Sequence, residues 1–328
     1  MKILRYLGFI LLVACNSNPA TQPTEKMVIA VIPKGASHEF WKSVHAGAEK
    51  ASQELGVDII WKSPAKESDR EEQIKIVEDF TISGVSGIVL SPADDTALRL
   101  PVKEAVSSGI PVIIIDSELK SQDQLSFVAT DNYQGGVLAA RELARQLNNK
   151  GKAIMLRYQV GQASTTKREE GFLKTMADEF PEIEIVSSNQ HSGVTTETAY
   201  QASENLLARF KGPDGKLTID GIFAPCEPVA FGMLRALEDM KLGGTVKLVG
   251  FDASEKLVQG LEQGYIDALI MQDPVGMGYH GVKLMKDHLE GKKIDTRLDT
   301  GVFIVTKENM AEPKMQALIK PDLEKWLG

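Results

Sequence analysis

The sequence predicts an α/β protein built as two doubly wound parallel-sheet lobes, and three observations carry that prediction. From Met27 onward, short β-branched-rich runs alternate with amphipathic stretches, with little else between them. Strands alternating with helices imply parallel sheets covered on both faces. The runs are too many for one sheet of ordinary size, and 328 residues with 43% hydrophobic content suffice for two cores.

In the first half the strand candidates are MVIAVI, VSGIVLS, PVIIID and SFVAT. Between the first two lies FWKSVHAGAEKASQEL, where Phe40, Val44, Ala48, Ala51 and Leu55 recur at helical spacing. A boundary is expected near Ala129-Thr130-Asp131-Asn132. There a strand ends and a helix opens, with Asp131 or Asn132 as cap and Gly135-Gly136 permitting close packing. The second half repeats the scheme. Its strands are KAIMLRY, IEIVSS, GIFAP, VKLVGFD and IDALIMQ; its helices are REEGFLKTMADEF, TETAYQASENLLARF, VAFGMLRALEDMK and SEKLVQGLEQG. Arg168 is expected in the first turn of the first of these. No internal sequence repeat is evident.

Ahead of this region, Met1 to Arg5 is cationic and Leu7 to Ala14 is an apolar run too short to span a bilayer, the pattern of a secretory signal. Leu12-Val13-Ala14-Cys15 resembles the lipobox of bacterial lipoproteins, which implies acylation of Cys15 and anchoring by its acyl chains. Residues 16–26, polar with two prolines, suit a tether. With Cys15 acylated, Cys226 has no disulfide partner. A net charge of -8 and a pI near 5.3, with charges of both signs mixed along the chain, argue against nucleic acid as a partner.

In open parallel sheets, ligands sit beyond the carboxyl ends of the strands. That rule selects Lys34, Asp116, Asp252 and Gln272, each of which ends a strand candidate. A single Asp there reads as a helix cap; a whole set of polar strand ends reads as one cleft. No G-x-S-x-G, P-loop or H-E-x-x-H motif occurs, and the five histidines show no metal spacing. Residues 276–281 spell G-x-G-x-x-G, but no second strand ending in an acidic residue follows. The glycines are read as letting a helix pack tightly on a sheet, so no cofactor and no catalytic role are expected.

The cleft residues carry a resemblance. Phe40-Trp41, Gly109-Ile110-Pro111-Val112 leading to Asp116, Thr130-Asp131-Asn132, Arg168-Glu169-Glu170-Gly171-Phe172, Leu248-Val249-Gly250-Phe251-Asp252 and Gln272 stand in the order found in ribose-type periplasmic binding proteins, the receptors of bacterial ABC sugar importers. From Met27 to about Thr306 the chain resembles that family. The resemblance implies two Rossmann-like lobes joined by a three-crossover hinge near residues 130–131, 272–273 and 299–301. One lobe would hold 27–130 plus 273–300, the other 131–272 plus 301–328. It also implies that Phe40 and Trp41 sandwich a sugar ring, that Asp116, Arg168 and Asp252 grip hydroxyls, and that Gln272 serves hinge and cleft. Phe40 and Trp41 also suit core packing of a helix's first turn.

Departures bear on the ligand. Lys34 stands where ribose receptors have a small hydroxyl residue, His38 and Cys226 where they have amides, Val194 where they have a third aromatic, and Ser117 where they have arginine. A plain ribose site is therefore not expected. The implied function is capture of a sugar or polyol and delivery to an ABC permease by a monomer, held to the membrane through its lipid anchor alone. The alternative is a receptor for chemotaxis, quorum sensing or a sensor kinase; Lys34 loosely resembles receptors for furanosyl signals.

Overall fold

The computed structural model describes residues 26–36 and 38–328; the signal segment, the lipobox Cys15 and the tether up to residue 25 lie outside them. The first run of elements is β1 (Val28–Ile32), α1 (Glu39–Leu55), β2 (Asp58–Trp61), α2 (Arg70–Ser83), β3 (Gly87–Leu90), α3 (Arg99–Ser107), β4 (Val112–Ile115) and β5 (Ser126–Ala129). The second is α4 (Asn132–Gln146), β6 (Gly151–Arg157), α5 (Ala163–Glu179), β7 (Ile183–His191), α6 (Thr196–Ala208), β8 (Gly221–Phe223), α7 (Glu227–Asp239), β9 (Lys247–Phe251), α8 (Glu255–Gln263) and β10 (Ala268–Met271). The chain closes with α9 (Pro274–Leu289), β11 (Arg297–Asp299), β12 (Phe303–Thr306), α10 (Pro313–Ile319) and α11 (Glu324–Leu327).

Among the described residues these strands form two sheets of six, in the orders β11-β5-β4-β3-β1-β2 and β12-β10-β9-β8-β6-β7. All pairings are parallel except β10 with β12. The central strands β3 (GIVL), β4 (VIII) and β10 (ALIM) are buried along their whole length, because helices cover both faces. Each such Ile or Leu contributes roughly 1.5–3 kcal/mol of burial. β2 and β11, which the sequence pattern does not single out, are edge strands with partly wet faces.

Each lobe contains a glycine-crossed helix pair in backbone contact, and the second adds another where Gly232 of α7 meets Ala199 and Tyr200 of α6. A Cβ on Gly47 of α1 would overlap the Val275 carbonyl of α9, and one on Gly278 would overlap the Val44 carbonyl. In the other lobe, Gly136 of α4 meets the Arg168 carbonyl of α5, and Gly171 meets that of Tyr133. The 276–281 glycine pattern is thereby accounted for: Gly278 admits α1, and Gly281 lies over Val89 and Ile115 of the sheet.

The chain passes between the sheets after β5, after β10 and between β11 and β12. Two of these passages are tied together, since the Thr130 hydroxyl donates to the Gly301 carbonyl at 2.9 Å and the Thr300 N–H to the Ala129 carbonyl at 3.1 Å. Asp131 caps α4, accepting the Gln134 N–H at 3.0 Å. One local expectation is corrected. α5 begins at Ala163, so Arg168 lies in its second turn, beyond the turn where the helix dipole acts strongly.

Candidate ligand-binding site

The strand ends of both sheets face one another across a buried cavity. Lys34 follows β1 and Asp116 follows β4; Cys226, Asp252 and Gln272 follow β8, β9 and β10. Nine of the ten residues selected from the sequence line this cavity: Lys34, His38, Phe40, Trp41 and Asp116 from one side, Arg168, Cys226, Asp252 and Gln272 from the other. Ser117 does not. It is buried beside the cavity, where its hydroxyl accepts the Ser164 N–H at 3.0 Å from the opposite lobe.

Asp116 and Asp252 hold equivalent places, each after the strand third from the edge of its sheet. Both adopt left-handed backbone, with φ of 61° and 66°. This conformation costs most residues roughly 1–2 kcal/mol and Asp less. In each, the N–H donates to the neighbouring strand, to the Val128 carbonyl at 3.0 Å and the Ile270 carbonyl at 2.8 Å. Neither is a helix cap; α8 is capped at Ser254.

Charge is matched differently in the two lobes. Lys34 Nζ lies 2.7 Å from Asp116 Oδ2 and donates to Ser164 Oγ at 3.2 Å. Ser91 also donates to Asp116, at 3.0 Å. Arg168 donates through Nε to Asn132 Oδ1 at 2.8 Å and through Nη1 to the Pro225 carbonyl at 2.9 Å. Its Nη1 is 3.7 Å from Asp252 Oδ2, and its guanidinium centre lies 3.8 Å from the centroid of the Phe251 ring. Gln272 Nε2 donates to Asp252 Oδ1 at 2.7 Å. Burial pushes the Asp252 carboxyl up, against the pull of Arg168 and Gln272. Burial first, and the Asp252 and Glu67 carboxylates after it, drive the Cys226 thiol well up against the pull of Arg168, so it is a poor nucleophile.

Phe40 and Trp41 meet edge to face, their ring centroids 4.9 Å apart. Trp41 both lines the cavity and packs in the core with Val44 and Ala48. Its indole N–H donates to Glu67 Oε1 at 2.8 Å. Glu67, from the loop before α2, is a residue the sequence reading missed. Across the cavity its Oε2 stands 3.2 Å from the Tyr158 hydroxyl and accepts the Gln162 amide at 3.0 Å. Three donors from both lobes thus converge on one buried carboxylate. The Tyr158 hydroxyl is pushed well up, first by burial and then by Glu67. His38 sits between lobes too, Nε2 3.6 Å from Glu67 and Nδ1 3.7 Å from Glu227. Glu227, also missed, has its carboxyl raised to about 7 by burial and by neighbouring Asp252.

Two of the missed residues left a signal. Tyr158 ends KAIMLRY, a polar strand end of the kind the crevice rule selects, and Glu227 follows Cys226 directly. Glu67 left none, because it lies in the charged run KESDREE, which reads as solvated surface.

Two α/β lobes meeting over a buried polar cleft at their strand ends define a class, the two-lobed cleft-binding proteins. The chain belongs to the periplasmic binding protein family: residues 29–293 match the model of the periplasmic binding protein domain. The ribose import binding protein RbsB of Salmonella typhimurium is 27% identical over 312 residues, covering 94% of this chain and all of the relative. The D-allose-binding periplasmic protein of Escherichia coli is also 27% identical, over 89% of this chain and 93% of its own. Among solved structures, a carbohydrate transporter solute-binding protein from Agrobacterium radiobacter in complex with D-arabinose is 34% identical, with a TM-score of 0.86 over 90% of this chain and all of that one. An ABC transporter solute-binding protein from Agrobacterium vitis with bound D-fucose is 32% identical, with a TM-score of 0.84 over 89% of this chain and 99% of that one.

Proposed function

We propose that the protein is the solute receptor of an ABC importer, holding a sugar or polyol between its lobes and delivering it to the permease by hinge closure. The observation that carries this reading is the cavity itself. It combines an aromatic pair with two carboxylates at equivalent strand ends, each faced by a cation. Sugar rings present apolar C–H faces to aromatic rings, and ionised groups bond hydroxyls at about 1.5–3 kcal/mol each. Micromolar affinity, near -8 kcal/mol, needs only several such bonds and one stacking surface. Relatives that bind ribose or allose, and neighbours holding D-arabinose or D-fucose, support the same class of ligand.

In this reading, lobes of residues 27–130 plus 273–300 and 131–272 plus 301–328 turn about the three passages, since a ligand bonded to both favours the closed arrangement. Lys34, His38, Phe40, Trp41, Asp116, Arg168, Cys226, Asp252 and Gln272 form the ligand's surroundings, and Ser117 braces Ser164 behind them. Membership of a periplasmic family supports export, and Cys15 is the acylation site. A thermal-shift screen against pentoses, hexoses, deoxysugars and polyols tests the central claim. A melting-temperature rise with at least one of them is expected; no rise with any carbohydrate would overturn it.

A further inference from the structure

A cleft made only for neutral hydroxyls should have buried charges that cancel, because uncompensated charge in a dry site is costly. Here they do not. Four carboxylates, Glu67, Asp116, Glu227 and Asp252, line the cavity against two fixed cations, Lys34 and Arg168. His38 lies between Glu67 and Glu227, and Glu227 meets the excess by holding its proton up to about pH 7, a proton that a cationic ligand would displace.

The excess is localised. Asp116 is matched by Lys34, Asp252 is faced by Arg168, and Glu67 is satisfied by the donors from Trp41, Tyr158 and Gln162. Glu227 remains. It is almost fully buried, its own N–H bonds to the Asp252 carboxylate, and its neighbours include the carboxylates of Glu39 and Glu67, with His38 Nδ1 3.7 Å away. Gln272 bonds to the same Asp252 through its amide nitrogen, and its Oε1 is buried with no hydrogen-bond donor among the described residues. This end of the cavity is therefore rich in acceptors. A hydroxyl brings one proton there, whereas an ammonium brings three and a full positive charge.

Resting on the sugar-binding reading above, we propose that the ligand is a sugar or polyol bearing a protonated primary amine, received by Glu227 with Gln272 Oε1 and Asp252 as neighbouring acceptors. The ring lies over Phe40 and Trp41, a surface that tolerates a cation as well as C–H groups. The protein's net charge of -8 favours approach of such a ligand.

Calorimetric titration of the whole chain at pH 7 and low salt tests this with matched trios: D-glucose, D-galactose and D-mannose, their 2-amino-2-deoxy forms, and the uncharged N-acetyl forms, beside neutral pentoses. At least one amine is expected to bind tenfold or more tighter than both its parent and its N-acetyl form. That advantage should shrink with added salt, and in Glu227→Gln it should fall below threefold while cooperative melting is retained. A neutral sugar of the panel binding as tightly as every amine overturns the inference and leaves the sugar receptor standing. An amine preference undiminished in Glu227→Gln overturns the role of Glu227. Absence of binding by every sugar, neutral or amino, overturns the receptor reading as well. The wild-type comparison decides the ligand class even if the variant fails to fold.

Discussion

The two lobes share a frame and differ in their chemistry. Their sheets have the same strand order, each carries a glycine-crossed helix pair beside the cleft, and each turns an aspartate into the cleft at positive φ. The cations opposite those aspartates come from different places. In the first lobe Lys34 stands at the end of β1 and closes directly on Asp116; in the second the equivalent strand ends at Tyr158, and Arg168 reaches in from the second turn of α5. In the first lobe Lys34 thus cancels Asp116 at close range. The second holds its cation with the Asn132 and Pro225 oxygens as well, farther from Asp252, and adds Glu227. Topology sets where polar groups converge, while single residues at strand ends and first turns set what the cleft prefers.

The largest effect should come from breaking each lobe's charge pair. Asp116→Asn keeps a residue that tolerates the left-handed backbone, whereas Ala there would add strain. It leaves Lys34 buried and facing a neutral amide. Arg168→Ala leaves Asn132 Oδ1 and the Pro225 carbonyl without their donor and Asp252 without its cation. Both should lower ligand affinity at least a hundredfold by calorimetry, about 3 kcal/mol, as expected when a charge-assisted bond is lost and its buried partner stranded. Arg168→Ala should also lower the melting temperature more, because it strands three groups of its own lobe. Equal losses of stability in the two variants would show that the asymmetry is geometric only.

The next effect lies between the lobes. Glu67→Ala removes the acceptor shared by Trp41 from its own lobe and by Tyr158 and Gln162 from the other. Affinity should drop about tenfold to thirtyfold, roughly one to two neutral hydrogen bonds, and the ligand-dependent change in tryptophan fluorescence should shrink with it. Unaltered binding and fluorescence would mean that Glu67 only supports its own lobe.

How much of this was legible in the sequence follows the same division. Buried parallel strands such as VIII and ALIM announce themselves as continuous apolar runs, and the crevice rule then points to the residues that follow them. β2 and β11, wet at the edges, lack that pattern. The repeated scheme and both strand-end aspartates were legible, but their exact correspondence was not, because it resides in topology and backbone angle: Asp116 and Asp252 follow VIII and KLVGF, which share shape and burial but little sequence. Glu67 was illegible because a charged loop reads as solvated until the opposite lobe buries it. The start of α5 was misplaced because Ala163-Ser164-Thr165-Thr166 carries little amphipathic signal ahead of Arg168.

The last effect, spread over more than two pH units and so small at any one pH, separates the lobes by protonation. The Glu227 carboxyl sits at about 7 in the folded protein against an ordinary 4.5, through burial first and Asp252 second. Between those values the folded state holds a proton that the unfolded chain has released. Stability from this group is therefore complete below about pH 4.5 and is lost as pH rises through about 7, by at most about 3 kcal/mol. His45 and His280, held down by burial, act in the opposite sense, so the contribution must be read as a difference between variants. Ligand-free wild type and Glu227→Gln should diverge across pH 5 to 7 in thermal melts, the wild type losing more stability as pH rises. Parallel curves would mean that the second lobe keeps Glu227 ionised beside Asp252 throughout.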